Sequence, residues 1–112
     1  MKRKLPAFTG RMIEMDNPAD LKKELEQEAE KQNIPILREA ERKLLLDAAE
    51  SAKPKKILEV GTAIGYSALC LAEHFPLAEI DTIEIDALRR RRALSVMQAA
   101  GFEQRVRCHL GD

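Results

Sequence analysis

Residues 56–72, KILEVGTAIGYSALCLA, constrain the fold more than any other stretch of the chain. A basic lead-in gives way to residues of buried-strand type, then to Gly61 and Gly65, then to an apolar helical run. A strand that turns through glycines directly into a helix is an α/β unit, with parallel strands joined by right-handed crossovers. Such a turn presents backbone N–H groups and a helix N-terminus at the carboxyl end of the sheet, where ligands of α/β folds sit.

The flanking sequence repeats the alternation. A helix is expected from Asn17, with Asn17 as N-cap, Pro18 at the first helical position and Asp20 in the first turn. Its apolar stripe, Leu21, Leu25 and Ala29, is thin and suits either a cap on the domain's own surface or a dimer face. Pro35 pushes Ile34 towards extended geometry. A second helix then carries Leu37, Ala40, Leu44, Leu45, Ala48, Ala49 and Ala52 at helical spacing and stops before Pro54. Strands are expected over 56–60, 78–85 and 105–110, and helices over 65–75 and 87–100, the latter stopped by Gly101. The order α-α-β-α-β-α-β predicts a Rossmann-like parallel sheet preceded by two helices. Residues 1–16 show no clear period and are expected to be a flexible arm. That leaves 17–53 as N-terminal helices and 54–112 as a partial Rossmann-like cofactor-binding domain.

Aromatic residues make up 4% of the 112 and tryptophan is absent, so the core must be built from Leu, Ile, Val and Ala. Nineteen basic and nineteen acidic residues cancel, which argues against a globally basic nucleic-acid binder. Cys70 and Cys108 are too few for a disulfide framework and read as small core residues of a reduced protein. No apolar run reaches transmembrane length, and LPAFTG after Lys2–Lys4 supplies no signal-peptide core. The expectation is a cytoplasmic protein without a membrane partner.

The glycine spacing is not the dinucleotide G-x-G-x-x-G, nor does a P-loop lysine follow. Glu84, at the end of the second parallel strand, lies 23 residues after Gly61. An acid at that place can accept both hydroxyls of a ribose. Turn and acid together indicate a nucleoside-bearing cofactor without requiring a pyrophosphate. The plainer alternatives are a turn made for tight packing and a solvated strand end. Two other functions stay open: a non-catalytic nucleoside-binding module, and a nicotinamide-dependent oxidoreductase, disfavoured by the missing fingerprint. Tyr66 either lines the pocket or braces the turn. Arg89–Arg92 cannot share one helix face and read as solvated, with stems over apolar surface, rather than as an RNA-contacting patch. His74 and His109 are too far apart in sequence to form a recognised ligand motif.

ILEVGTAIGYSALCLA, TIEID and AAGFEQRVRCHLGD, taken together, resemble the class I S-adenosylmethionine-dependent O-methyltransferases, in the catechol and caffeoyl-CoA branch. The upstream IPI and the GTAIGYSA turn look most like the bacterial tRNA 5-hydroxyuridine methyltransferases. The resemblance implies that Glu59 and Gly61 open the cofactor loop facing the methionine portion, and that Ser67 bonds the cofactor carboxylate. It implies further that Glu84 holds the ribose, Asp112 touches the adenine end, and the backbone near Ile36 covers the cofactor. Ala63 stands where many methyltransferases carry a further glycine.

The same resemblance implies a seven-stranded sheet, of which this chain supplies the first three strands. The metal-binding acids and the groups that orient the acceptor lie further on in that branch. No catalytic or metal-binding residue is therefore expected here, and a divalent metal, Mg or Mn, is expected only in the full-length enzyme. The chain reads as a truncated, N-terminal cofactor-binding half and, by itself, a poor catalyst. KILEV would be an unpaired apolar edge, so self-association through the sheet edge or the helices is expected. The acceptor implied first is a tRNA hydroxyuridine, and second a small catechol-like phenol.

Overall fold

The computed structural model describes the backbone of residues 3–6 and 12–15, and residues 17–112 in full. Strands β1 (Arg3–Pro6) and β2 (Met12–Met15) pair antiparallel. They fall within the segment expected as an arm, because four-residue strands are too short for alternation to register as a period. Helices α1 (Pro18–Gln32) and α2 (Glu39–Ala52) follow. Then come β3 (Lys56–Val60), α3 (Tyr66–His74), β4 (Glu79–Glu84), α4 (Ala87–Ala100) and β5 (Val106–Leu110). The α/β order predicted for residues 17–112 is the order observed.

Local chemistry sets the boundaries. The Asn17 side chain accepts a bond of 2.8 Å from Ala19 N, and Pro18 fills the first turn, where its missing N–H costs nothing. Asn33 and Gly101 close α1 and α4 in the left-handed region. Helix α2 opens with Glu41 accepting from the backbone N–H of Arg38 at 3.1 Å. Asp86 caps α4 by accepting from Arg89 N at 3.0 Å.

Strands β3, β4 and β5 form one parallel sheet in that order, with Ile57 beside Ile80 and Ile80 beside Val106. Helices α3 and α4 pack on one face of it, and α1 lies across both. Leu21, Leu25 and Ala29 of α1 are buried there, so the thin stripe covers the domain's own core. Leu69, Ala72, Ile80, Val96 and Met97 lie at its centre, fully enclosed. Helix α2 packs on α3 but buries no residue completely, and Leu44, expected on its inner stripe, is 72% exposed. The stripe is wider than the surface α3 offers it.

Arg105 ties the end of α3 to the sheet, donating to the carbonyls of Ala72, Phe75 and Ala78 at 2.7–3.1 Å. Nothing in its sequence context marks it for that role. Among the described residues, no helix is long and apolar enough to cross a membrane.

Candidate cofactor-binding site

The β3–α3 turn is built by main-chain bonds. Gly61 N and Thr62 N both donate to Ile83 O, at 2.8 and 3.1 Å, which docks the turn on the end of β4. Gly61, Ala63 and Gly65 have φ of 91°, 50° and 93°. That region suits glycine and strains alanine, so Ala63 is held there at a conformational cost. The two glycines serve different ends. A Cβ on Gly65 would meet Ala93 Cα and Cβ at 3.2 Å, so this glycine permits close packing of α3 on α4. A Cβ on Gly61 would meet nothing within 4 Å. It faces open space beside a cleft of about 310 Å³.

Gly61, Thr62, Ala63 and Ser67 line one side of that cleft, and Ile36, Leu37 and Glu41 line the other. Helix α3 begins here with Gly65 in the N-cap position and no side chain capping it. An uncapped helix N-terminus carries unsatisfied N–H groups and partial positive charge, which favours an anionic group in the cleft.

Beneath the turn lies a buried polar relay. Thr82 Oγ1 donates to Glu59 at 2.8 Å, which makes Thr62 the donor in its 2.5 Å contact with Thr82. The Ser67 hydroxyl donates to the other Glu59 oxygen. Burial pushes the Glu59 carboxyl above the ordinary carboxylate range, tempered by the bonds from Ser67 and Thr82. Glu84, 6% exposed, accepts from Ala63 N at 2.8 Å through one oxygen and from Asp86 N at 2.9 Å through the other. It is therefore not a solvated strand end. It is wired to the glycine turn.

Of the residues singled out from sequence, Ile36, Gly61 and Ser67 share the cleft, while Glu59 and Glu84 support its floor. Asp112 is exposed, one residue beyond Gly111, whose N–H bonds Glu84 O at 3.0 Å. Tyr66 both lines the cleft and braces it. Its hydroxyl accepts from Arg42 of α2 and lies 3.4 Å from Glu26 of α1. Thr62 and Thr82 escaped sequence reasoning, although Thr82 sits between Ile80 and Glu84 at the two-residue spacing of an inward strand face.

Arg90 and Arg92 of the arginine run have structural partners. Arg90 donates to Cys108 O at 2.8 Å and Arg92 to Glu28 at 2.9 Å. His74 pairs with Glu50 and His109 with Asp81, both at partly exposed positions. Among the described residues, no group of three or more His, Cys, Asp or Glu side chains is placed to hold a metal ion.

A family model described as O-methyltransferase matches residues 12–112. The chain belongs to the O-methyltransferase family. A probable O-methyltransferase of Mycobacterium tuberculosis is 38% identical over 72 residues, which is 63% of this chain and 31% of that protein. Among solved structures, a Staphylococcus aureus protein assigned as a caffeoyl-CoA O-methyltransferase superposes with a TM-score of 0.76 and 30% identity. The match covers 81% of this chain and 44% of that one. The O-methyltransferase TomG of Streptomyces achromogenes, solved with S-adenosylmethionine, gives 0.72 and 28%, covering 83% and 43% respectively. The chain thus spans less than half the length of these relatives, and the fold class read from sequence is the one its neighbours share.

Proposed function

We propose that the chain forms the S-adenosylmethionine-binding part of an O-methyltransferase. The observation that carries this is Gly61, whose missing Cβ opens the cleft at the uncapped N-terminus of α3, with Glu84 hydrogen-bonded to the same turn. When bound, S-adenosylmethionine supplies an electrophilic sulfonium methyl group to an acceptor oxygen. The chain's own residues bind and orient. The α3 N-terminus receives the carboxylate together with Ser67, whose hydroxyl turns from Glu59 to the ligand, and Ile36 and Leu37 shield the sulfonium from water. Glu84, freed from Ala63 N or shared with it, takes the ribose hydroxyls, and Asp112 lies towards the adenine. This is catalysis by alignment, and no residue of the chain is assigned a proton-transfer role.

The acceptor the resemblance implies is a hydroxyl on tRNA uridine, with a small phenol as the second reading. A metal-assisted deprotonation of either would need ligands that the described residues do not group together. The edge of β3, unpaired among the described residues, supports self-association of the chain.

Titration calorimetry tests the proposal. The chain is expected to bind S-adenosylhomocysteine in the micromolar range and to show no affinity for NAD. Binding should be lost in Glu84→Ala. Tighter binding of NAD, or unchanged binding in Glu84→Ala, would overturn it.

A further inference from the structure

The segment between α1 and α2 has room on both sides. Pro35 and Ile36 line the cleft of about 310 Å³ on one side and a wider cavity of about 910 Å³ on the other. Close packing holds a chain in place by leaving no such room. Ile34 is buried, but Ile36 and Leu37 are half-buried and Pro35 is exposed. Helix α2 is held no more firmly. It buries no residue completely and rests on the core through half-buried Leu45 and Leu46, whereas α1 buries Leu21, Leu25 and Ala29. Elements with few buried apolar contacts are the ones that open first. Residues 34–52 are also bracketed by Asn33 and Lys53, with φ of 53° and 46°. Asparagine adopts that conformation readily and lysine does not, so the far bracket is strained.

Two side-chain bonds tie α2 to α3 among the described residues. Glu50 meets His74 at 2.9 Å in an exposed position. Arg42 donates to the hydroxyl of Tyr66, which lies 3.4 Å from Glu26 of α1. Tyr66 is 2% exposed and lines the cleft, so one oxygen joins all three helices beside the ligand space. We propose that residues 34–52 form a cover that swings outward, turning at Asn33 and Lys53, to admit the cofactor. The Arg42–Tyr66 bond is the latch that holds it shut. The inference rests on the cofactor reading above. A ligand enters or leaves only when the latch parts, so the latch sets both rates. The bond is made in the closed form with or without ligand, so it adds little to affinity.

Surface plasmon resonance on the full chain, with S-adenosylhomocysteine as the probe, tests the latch through rates. Arg42 does not line the cleft, so Arg42→Leu removes the bond without touching the ligand. Association and dissociation should both quicken by about fivefold or more, the effect of losing one hydrogen bond to a charged group. The Kd should stay within about twofold. Arg42→Lys, which can still donate to Tyr66, should restore slower rates. Adding Tyr66→Phe to Arg42→Leu should quicken neither rate further, because the two residues share one bond. Faster dissociation alone, with a matching loss of affinity, would make Arg42 a static support of the cleft. Unchanged rates would mean that nothing opens there. Either result overturns the latch and leaves cofactor binding standing. Failure of the unaltered chain to bind S-adenosylhomocysteine would overturn the cofactor reading, and the cover with it.

Discussion

The two faces of the three-stranded sheet are made of different material. On the covered face, Ile57, Ile80 and Val106 form one row across the strands and Glu59, Thr82 and Cys108 the next. Ile80, Thr82 and Val106 are at most 1% exposed. The opposite face has rows Leu58–Asp81–Arg107 and Val60–Ile83–His109, and its chemistry changes from one edge to the other. At β5 it is ionic. Arg107 donates to both oxygens of Asp81, at 2.9 and 3.2 Å, and His109 contacts one at 2.8 Å. At β3 it is apolar, with Leu58 68% and Val60 77% exposed. Side chains at β5 satisfy one another in water, whereas those at β3 have apolar surface and no described neighbour to bury it. The cofactor turn leaves the sheet from this more exposed strand.

The largest expected effect separates the faces directly. Ile80→Ala would open a cavity under α3 and α4 and should cost about 2–5 kcal/mol. Leu58→Ala, one strand over on the open face, should change stability by less than about 0.5 kcal/mol. Urea unfolding of the two variants measures both. A comparable loss from Leu58→Ala would mean that the open face is buried in solution.

A smaller contrast distinguishes the two glycines of the turn. Gly65→Ala forces a Cβ to 3.2 Å from the backbone of α4 at φ 93° and should destabilise by about 1–3 kcal/mol, since the neighbour is main chain. Gly61→Ala meets no atom and should cost only the left-handed strain, about 1–2 kcal/mol. It should nevertheless abolish binding of S-adenosylhomocysteine, because the added methyl enters the cleft. Denaturant midpoints and titration calorimetry, run on both variants, separate the packing glycine from the binding one.

The sequence made one face of this sheet legible and left the other unexplained. Apolar periodicity located every element from Asn17 onwards to within a few residues, because caps at Asn17, Pro18 and Gly101 mark helix ends by local chemistry. The glycine turn and Glu84 were legible because backbone constraint and strand-end position leave a mark in spacing. Local pattern does not show which carboxylate is consumed by which donor. The Thr62–Thr82–Glu59–Ser67 relay joins residues as much as 23 apart, and only the β3–β4 register brings them together. Arg42 meeting Tyr66 and Arg105 meeting the end of α3 are likewise tertiary events between residues whose own surroundings look like ordinary solvated helix or loop.

The smallest expected effect lets acid tell the faces apart. Arg107 first, then His109, hold the Asp81 carboxyl well below the ordinary carboxylate range on the open face. Its contribution is therefore complete above the unfolded-state value and lost as the pH falls through that value and below. Burial holds Glu59 in the opposite direction on the covered face. The folded state takes up that proton more readily than the unfolded one, so Glu59 makes stability rise as the pH falls through its folded-state value. Asp81→Asn should flatten the acid-side loss and Glu59→Gln should steepen it, measured as urea midpoints between about pH 7 and pH 3. Asp81 is exposed and open to screening, so its effect should also shrink in about 1 M salt, whereas the Glu59 effect should not. Equal salt sensitivity would mean that water reaches both faces alike, and the distinction between a covered and an open side of the sheet would fail.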